Sequence, residues 1–225
     1  MKHILILFAA LLLIGCGNSK NSPEFISEVT GKYLFNSDES IGISFEKDVL
    51  FVSWRGNDKI KPLKVNDSTF YIQEMNEKII FISKPTTHIV LAEKREHEGR
   101  KYKFDKLLEG QKTPSEHFKD KEYNKALNGY LAIQKKDSLD KSIREWTMNR
   151  LGYRYLSDKK YDEAIELFKI NTQLYPKSSN TYDSLADAYL RKKDTTNAIT
   201  FYTKALSINP ENRSSKRMLT KITKK

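Results

Sequence analysis

Three hydrophobic patterns follow one another along this chain of 225 residues. Residues 4–14 form an uninterrupted apolar run directly after a positively charged start. Between residues 29 and 106, apolar positions such as Ile41 and Ile43 alternate with polar ones. After Leu107 the apolar spacing becomes that of amphipathic helices. Alternation predicts strands and helical spacing predicts helices, so the sequence predicts an α+β chain with an antiparallel β-domain followed by helices.

Short runs rich in β-branched and aromatic residues recur throughout the predicted β-domain, with turn residues between them. Such runs occupy residues 31–35, 41–46, 49–54, 59–65, 69–74, 78–83, 88–94 and 101–104. Short strands at this spacing predict an antiparallel meander that closes into a small barrel or sandwich. Because Pro62 cannot donate a backbone hydrogen bond, its strand is predicted to be bulged or to lie at a sheet edge.

The N-terminal apolar run predicts a secretion signal. It is too short to span a bilayer, which takes about 20 helical residues, but it fits the central region of a signal peptide. Residues 13–16 read Leu-Ile-Gly-Cys and resemble the lipobox of bacterial lipoproteins. The resemblance implies removal of residues 1–15 and acylation of Cys16, which would anchor the protein to a membrane. The alternative is an ordinary secreted protein whose single cysteine stays free.

Residues 16–28 are predicted to be a flexible tether, because their first part is polar and rich in small residues. Gly17 stands where the enterobacterial lipoprotein pattern places the aspartate that retains proteins at the inner membrane. The resemblance therefore implies a bacterial cell-envelope protein at the outer membrane.

A spacing of 34 residues recurs in the helical region, with one unit at 145–178 and the next at 179–212. Small residues, aromatic residues and prolines occupy equivalent positions in the two units: Gly152 and Ala186, Tyr155 and Tyr189, Ala164 and Ala198, Phe168 and Tyr202, Pro176 and Pro210. This pattern resembles the tetratricopeptide repeat family, which implies pairs of antiparallel helices that cross closely at the small residues. Met148 and Asn171 depart from the family's preferences at their positions.

Two further segments are predicted to complete the stack of helices, since about three repeats are needed to bury a continuous core. Residues 107–144 resemble a degenerate first repeat, because Tyr123, Ala126 and Tyr130 copy the spacing of the next unit. Residues 213–225 are predicted to form a basic capping helix with an apolar stripe of Met218, Leu219 and Ile222.

In the tetratricopeptide family, recurring positions on the first helix of each pair line a concave groove that binds proteins or peptides. The resemblance assigns these positions to Trp146, Asn149, Tyr153, Leu156 and Ser157, and in the next unit to Asn180, Asp183, Asp187, Leu190 and Arg191. Aromatic rings beside asparagine amides could hold an extended peptide by stacking and hydrogen bonds. Alternatively, Trp146 and Tyr153 pack beneath the degenerate first repeat. Asp183 and Asp187 are either a clamp for a basic ligand or solvated carboxylates.

The net charge of +11 is unevenly distributed. Residues 24–106 contain 14 basic and 14 acidic residues, whereas residues 213–225 contain six basic and none acidic. The basic C-terminal helix is either a solvated cap or a contact for anionic lipid or glycan. Nucleic acid is not expected as a partner outside the cell.

The strand rhythm and aromatics of residues 31–106 also resemble the small β-domain that is appended to bacterial serine hydrolases of the β-lactamase and penicillin-binding class. Literal matches to that family's motifs occur at Ser44–Lys47, Ser138–Lys141 and His97–Gly99. Such matches arise by chance in a chain rich in serine and lysine, and the chain has no room for the large catalytic domain. Scattered histidines and the lack of a glycine-rich phosphate loop predict no metal, cofactor or small-molecule substrate.

The sequence therefore predicts a non-catalytic, lipid-anchored envelope protein whose repeats bind a protein or a peptide. One alternative is an accessory subunit, or a detached C-terminal half, of a β-lactamase-like hydrolase. Another is an envelope protein that binds an anionic polymer through residues 213–225.

Overall fold

The computed structural model describes residues 20–224, so the predicted signal peptide and Cys16 lie outside the described residues. The described chain forms two compact units. The β-unit contains residues 20–33 and 41–106, and the helical unit contains residues 34–40 and 107–224. No helix in the described part of the chain is long and apolar enough to cross a membrane. The predicted α+β class, with antiparallel sheets followed by repeat-like helices, is confirmed.

Within residues 20–224, one short α-helix and nine strands precede the remaining α-helices. They are α1 (Pro23–Val29), β1 (Gly31–Asn36), β2 (Glu39–Glu46), β3 (Val49–Trp54), β4 (Asn57–Ile60), β5 (Leu63–Lys64), β6 (Thr69–Ile72), β7 (Glu77–Ile82), β8 (His88–Leu91) and β9 (Lys103–Asp105). Sequence neighbours pair in two sheets, β1-β2-β3-β4 and β5-β6-β7-β8-β9. Pro62 separates β4 from β5, which lies at a sheet edge, because proline cannot donate to the ladder.

The β-unit encloses its own apolar core. Alternate residues of the strands, including Ile41, Ile43, Ile79 and Phe81, are almost fully buried. An antiparallel bridge between Tyr33 and Lys106 joins the first strand to the segment after β9. The arrangement is therefore that of two antiparallel sheets joined by this bridge.

The structure corrects the predicted tether, because residues 23–28 belong to α1 rather than to a flexible segment. Ser22 accepts a hydrogen bond from the backbone N–H of Phe25, and a proline occupies the first turn, which together favour helix initiation. The ring of Phe25 packs against the rings of Phe45, Phe70 and Phe81. The partly buried Phe25, in contact with three aromatic rings, and the fully buried Val29 hold α1 in place in the β-unit.

Seven helices build the helical unit: α2 (Pro114–Lys119), α3 (Tyr123–Lys136), α4 (Glu145–Ser157), α5 (Tyr161–Leu174), α6 (Ser179–Arg191), α7 (Thr195–Ile208) and α8 (Arg213–Thr223). The α2 helix has only six residues and starts with a capping box between Thr113 and Glu116. The tip of the β1–β2 hairpin belongs to this unit: Asp38 accepts hydrogen bonds from the Ser115 N–H at 2.7 Å and the Tyr130 hydroxyl at 3.2 Å.

Close crossings and a terminal cap hold the repeats together. A Cβ atom added at Gly152 would lie 2.4 Å from the Phe168 ring, so α4 and α5 approach too closely for any side chain there. At the other end, the stripe predicted on α8 packs against a cluster of Ala186, Ala198 and Tyr202. Three consecutive helix pairs are thus closed by a single final helix.

Candidate functional site

Direct contacts fix the first helix of one repeat against the first helix of the next. The Asn180 side-chain amide donates a hydrogen bond to Glu145 Oε1 at 2.9 Å. The Tyr153 hydroxyl lies at 3.4 Å from Ser184 Oγ, to which it donates. We call the surface around these contacts the α4–α6 face; its residues are Trp146, Asn149, Tyr153, Asn180, Asp187 and Arg191.

Trp146 is the most prominent apolar group of the α4–α6 face. Its side chain is 55% exposed, and the Arg150 guanidinium lies over the indole at 5.0 Å from the ring centroid. The two residues are one helical turn apart, which allows this stacking. Trp146 therefore does not pack beneath the degenerate first repeat, and its ring is available for contact.

Tyr153 and Asn149 lie deeper in the face. Tyr153 is half-buried with its ring edge-to-face against Phe168 at 5.4 Å, and burial raises the pKa of its hydroxyl, so it is a neutral hydrogen-bonding group. Asn149 Oδ1 is buried and has no hydrogen-bond partner among the described residues. An unpaired amide oxygen at the base of the face is an acceptor that a ligand or a water molecule could satisfy.

Two residues that were predicted to bind a ligand are buried inside the helical unit instead. Leu156 is only 3% exposed and belongs to the core between α4, α5 and α6, so it cannot line an open groove. Asp183 is 9% exposed and accepts a hydrogen bond from Ser215 Oγ at 2.5 Å, because α8 covers that part of α6. Both residues stabilise the stack.

Asp183 and Asp187 were predicted to be either an acidic clamp or solvated carboxylates, and Asp183 is neither, because it is buried against Ser215. Asp183 is committed to Ser215, and Asp187 accepts from Arg191 Nε at 3.2 Å in an (i, i+4) pair along α6. Of the other predicted positions, Ser157 is exposed and Leu190 packs against the α8 cluster. The face thus combines aromatic and amide groups with one ion pair, a chemistry suited to polypeptide rather than to a highly charged cation.

Some contacts of the face are not evident from the groove positions alone. The stacking of Arg150 on Trp146 could have been inferred from their spacing on one helix. The pairing of Glu145 with Asn180 depends on how two helices align, for which a single sequence gives no signal.

The residues of the hydrolase-like motifs have ordinary positions. Ser44 is an exposed residue of β2, and Ser138 is exposed in the loop between α3 and α4. His97 Nε2 lies 3.0 Å from Glu77 Oε1 within the β-unit. In the part of the chain that the structure describes, no group of three or more His, Cys, Asp or Glu residues could hold a metal ion.

Parts of the helical unit are similar to known proteins. The family model for the tetratricopeptide repeat matches residues 179–212, which contain α6 and α7. The tetratricopeptide repeat domain-containing protein PYG7, chloroplastic, of Arabidopsis thaliana is 32% identical over 90 residues, covering 39% of this chain and 30% of that protein. The uncharacterized protein ycf37 of Cyanophora paradoxa is 32% identical over 106 residues, covering 47% of this chain and 62% of that protein.

Among solved structures, the first repeat domain of Spaghetti (RPAP3) bound to HSP90 peptide SRMEEVD is 19% identical, with a TM-score of 0.35 over 49% of this chain and 85% of that one. The chain spans less than two thirds of the length of both curated relatives. The residues that match the family model are those of the α6–α7 pair, the second of the two 34-residue units.

Proposed function

We propose that this protein is a non-catalytic, lipid-anchored component of a bacterial cell envelope and that its α4–α6 face binds an extended segment of another protein. The observation that carries the binding proposal is the exposed indole of Trp146, stacked under Arg150 and adjacent in sequence to Glu145, which accepts from the Asn180 amide. Exposed tryptophans in ordered surroundings are among the residues that contribute most to protein interfaces.

Other residues of the α4–α6 face also support the binding proposal. Tyr153 offers a neutral hydroxyl, and Asn149 offers a buried oxygen that lacks a partner among the described residues. Amide and hydroxyl groups at fixed positions on two neighbouring helices can bind the backbone of an extended segment, while the indole contacts one of its side chains. Anchoring rests on the lipobox-like residues 13–16 and would keep the repeats near a membrane partner.

The proposal is tested by placing a photo-crosslinking amino acid at position 146 in cells and, as a control, at position 131. Leu131 lies on α3 and is 37% exposed, so both positions carry an accessible apolar side chain in the same unit. We expect a specific crosslinked protein from position 146 only. Mass spectrometry would then identify that protein.

The identified protein, once purified, allows a direct affinity measurement. Trp146→Ala should weaken binding about tenfold or more, whereas Leu131→Ala should leave it unchanged. Equal crosslinking at both positions, or unchanged affinity of the Trp146→Ala variant, would contradict the assignment of the α4–α6 face.

A further inference from the structure

A cationic concavity lies in the β-unit, in the segment that joins β8 to β9. Its volume is about 350 Å³, and its charged lining consists of Lys94, Arg95, Arg100 and Lys101 with a single carboxylate, Glu93. Residues 24–106 as a whole have no net charge, since basic and acidic residues are equal in number. Four of the fourteen basic residues of this stretch line the one concavity, beside a segment that also contains Glu96 and Glu98.

Two anchored side chains give the concavity a fixed shape. His97 is buried, with Nε2 at 3.0 Å from Glu77 Oε1 and its ring edge against Tyr102. Lys94 Nζ donates to the backbone oxygen of Asn76 at 2.8 Å and lies 3.5 Å from the same Glu77 carboxylate. These contacts tie the segment to the turn before β7.

Backbone hydrogen bonds add to this order. The N–H groups of His97, Glu98 and Arg100 donate to the carbonyls of residues 94, 95 and 97, which gives three successive tight turns. Gly99 has a φ of +77°, and no atom lies within 4 Å of the position that a Cβ would take. The wall at Gly99 is thus bare backbone, open to a ligand.

The remaining cations of the lining are not neutralised in the same way. Among the described residues, Arg95 and Lys101 have no carboxylate within ion-pair distance, and Arg100 meets Glu98 only at 3.8 Å, where both side chains are about three-quarters exposed. An exposed pair at that distance contributes little stability, so the Arg100 guanidinium can exchange Glu98 for another anion.

We propose that this concavity is a binding site for a phosphate group, carried either by a lipid headgroup or by a free phosphate. Guanidinium groups match phosphate oxygens through paired N–H donors, and an ammonium adds a third positive charge. The anchored Lys94 and His97 position these groups before the ligand arrives, which lowers the ordering cost of binding. The inference is independent of the α4–α6 face.

The test follows the amide resonances of residues 94–101 in the ¹⁵N-labelled full chain during titration at constant ionic strength. The three probes are inorganic phosphate, dihexanoyl-phosphatidylglycerol and acetate. We expect saturable shifts with at least one phosphate-bearing probe and weaker shifts with acetate. Saturation by inorganic phosphate identifies a free phosphate as sufficient, whereas saturation by the lipid alone identifies a headgroup.

Matched charge variants test whether the residues of the concavity bind the phosphate-bearing probes. Arg95→Gln/Arg100→Gln should weaken binding about tenfold or more, and Lys101→Gln should weaken it to a smaller extent. Lys47→Gln/Lys78→Gln removes two exposed positive charges of the same unit outside the concavity and should have no effect. No saturable shift with either phosphate probe, equal response to acetate, or equal weakening by the control pair would overturn the proposal.

Discussion

At Gly152, helices α4 and α5 cross so closely that a single methyl group has no space. The nearest atoms to an added Cβ would be ring carbons of Phe168 at 2.4 and 2.5 Å, and this ring is fully buried. Gly152→Ala should therefore lower the free energy of unfolding by about 1–3 kcal/mol, measured by urea denaturation. Phe168→Leu removes the obstructing atoms, so the double variant should lose less stability than the sum of the single losses. Additive losses would show that the contact is not the cause.

The carboxyl of Asp38 has a raised pKa. Burial raises the pKa of its carboxyl to about 7, against the opposing effect of hydrogen bonds from Ser115 and Tyr130, while the nearby Asp140 carboxylate raises it further. Because the pKa of Asp38 is higher in the folded protein than in the unfolded chain, its carboxyl makes its full contribution to the free energy of unfolding below about pH 4. That contribution is lost as pH rises toward 7, up to about 4 kcal/mol.

Asp38→Asn should abolish this dependence, because an amide stays neutral and can still accept from the Ser115 N–H. The variant should match the wild type near pH 4 and exceed it in thermal stability near pH 8. Parallel stability curves for the two proteins would show that the pKa of Asp38 is not raised. Carbon-13 NMR of the Asp38 carboxyl gives the pKa directly.

The surroundings of a predicted groove residue depend on neighbouring elements as much as on its position along its own helix. Trp146 is exposed, as a groove position requires, but Leu156 is in the core and Asp183 is covered by α8. The groove positions are a property of one helix. The burial of Asp183 depends on a later helix packing against it, and nothing near Asp183 in the sequence signals that contact.

At the scale of elements, helix α8 caps the stack through one polar contact and an apolar stripe. Ser215 is fully buried, and its hydroxyl is the donor to the buried Asp183 carboxylate. Ser215→Ala should lower the free energy of unfolding by about 1–3 kcal/mol, because the carboxylate loses its donor without access to water. Chemical denaturation measures the effect.

The neighbouring Ser214 provides a matched control, because it lies in the same turn of α8 and is only partly buried. Ser214→Ala should change stability by less than about 0.5 kcal/mol. Equal effects of the two substitutions would mean that the loss comes from helix propensity rather than from the contact with Asp183.

Helices and strands with a regular spacing of apolar residues were predictable from the sequence. Elements that depend on a few contacts with distant residues were not. The alternation of residues 41–46 corresponds to β2, and the repeat spacing corresponds to helices α4–α7. The α1 helix was missed because seven residues are too short to establish a helical period. Its place depends on Phe25 contacting three rings that are distant in sequence. The anchored loop that includes His97 depends likewise on Glu77, a residue of another strand.

At the scale of the whole molecule, the remaining prediction is a lipid on Cys16, which lies outside the described residues. Two or three acyl chains would hold the protein to a membrane without help from its basic charge, at roughly 0.8 kcal/mol per buried methylene. In a bacterial host, the wild type should incorporate labelled palmitate and lose residues 1–15.

Cys16→Ser should remain unlabelled and uncleaved, because the lipobox resemblance makes lipid attachment and cleavage before Cys16 depend on the same thiol. Intact-protein mass spectrometry distinguishes the two forms. A Cys16→Ser protein that is cleaved like the wild type, beside a wild type without acyl mass, would instead establish an ordinary secreted protein with a free cysteine. In that case the repeats would need a different route to a membrane partner, and the basic face of α8 would be the first surface to test.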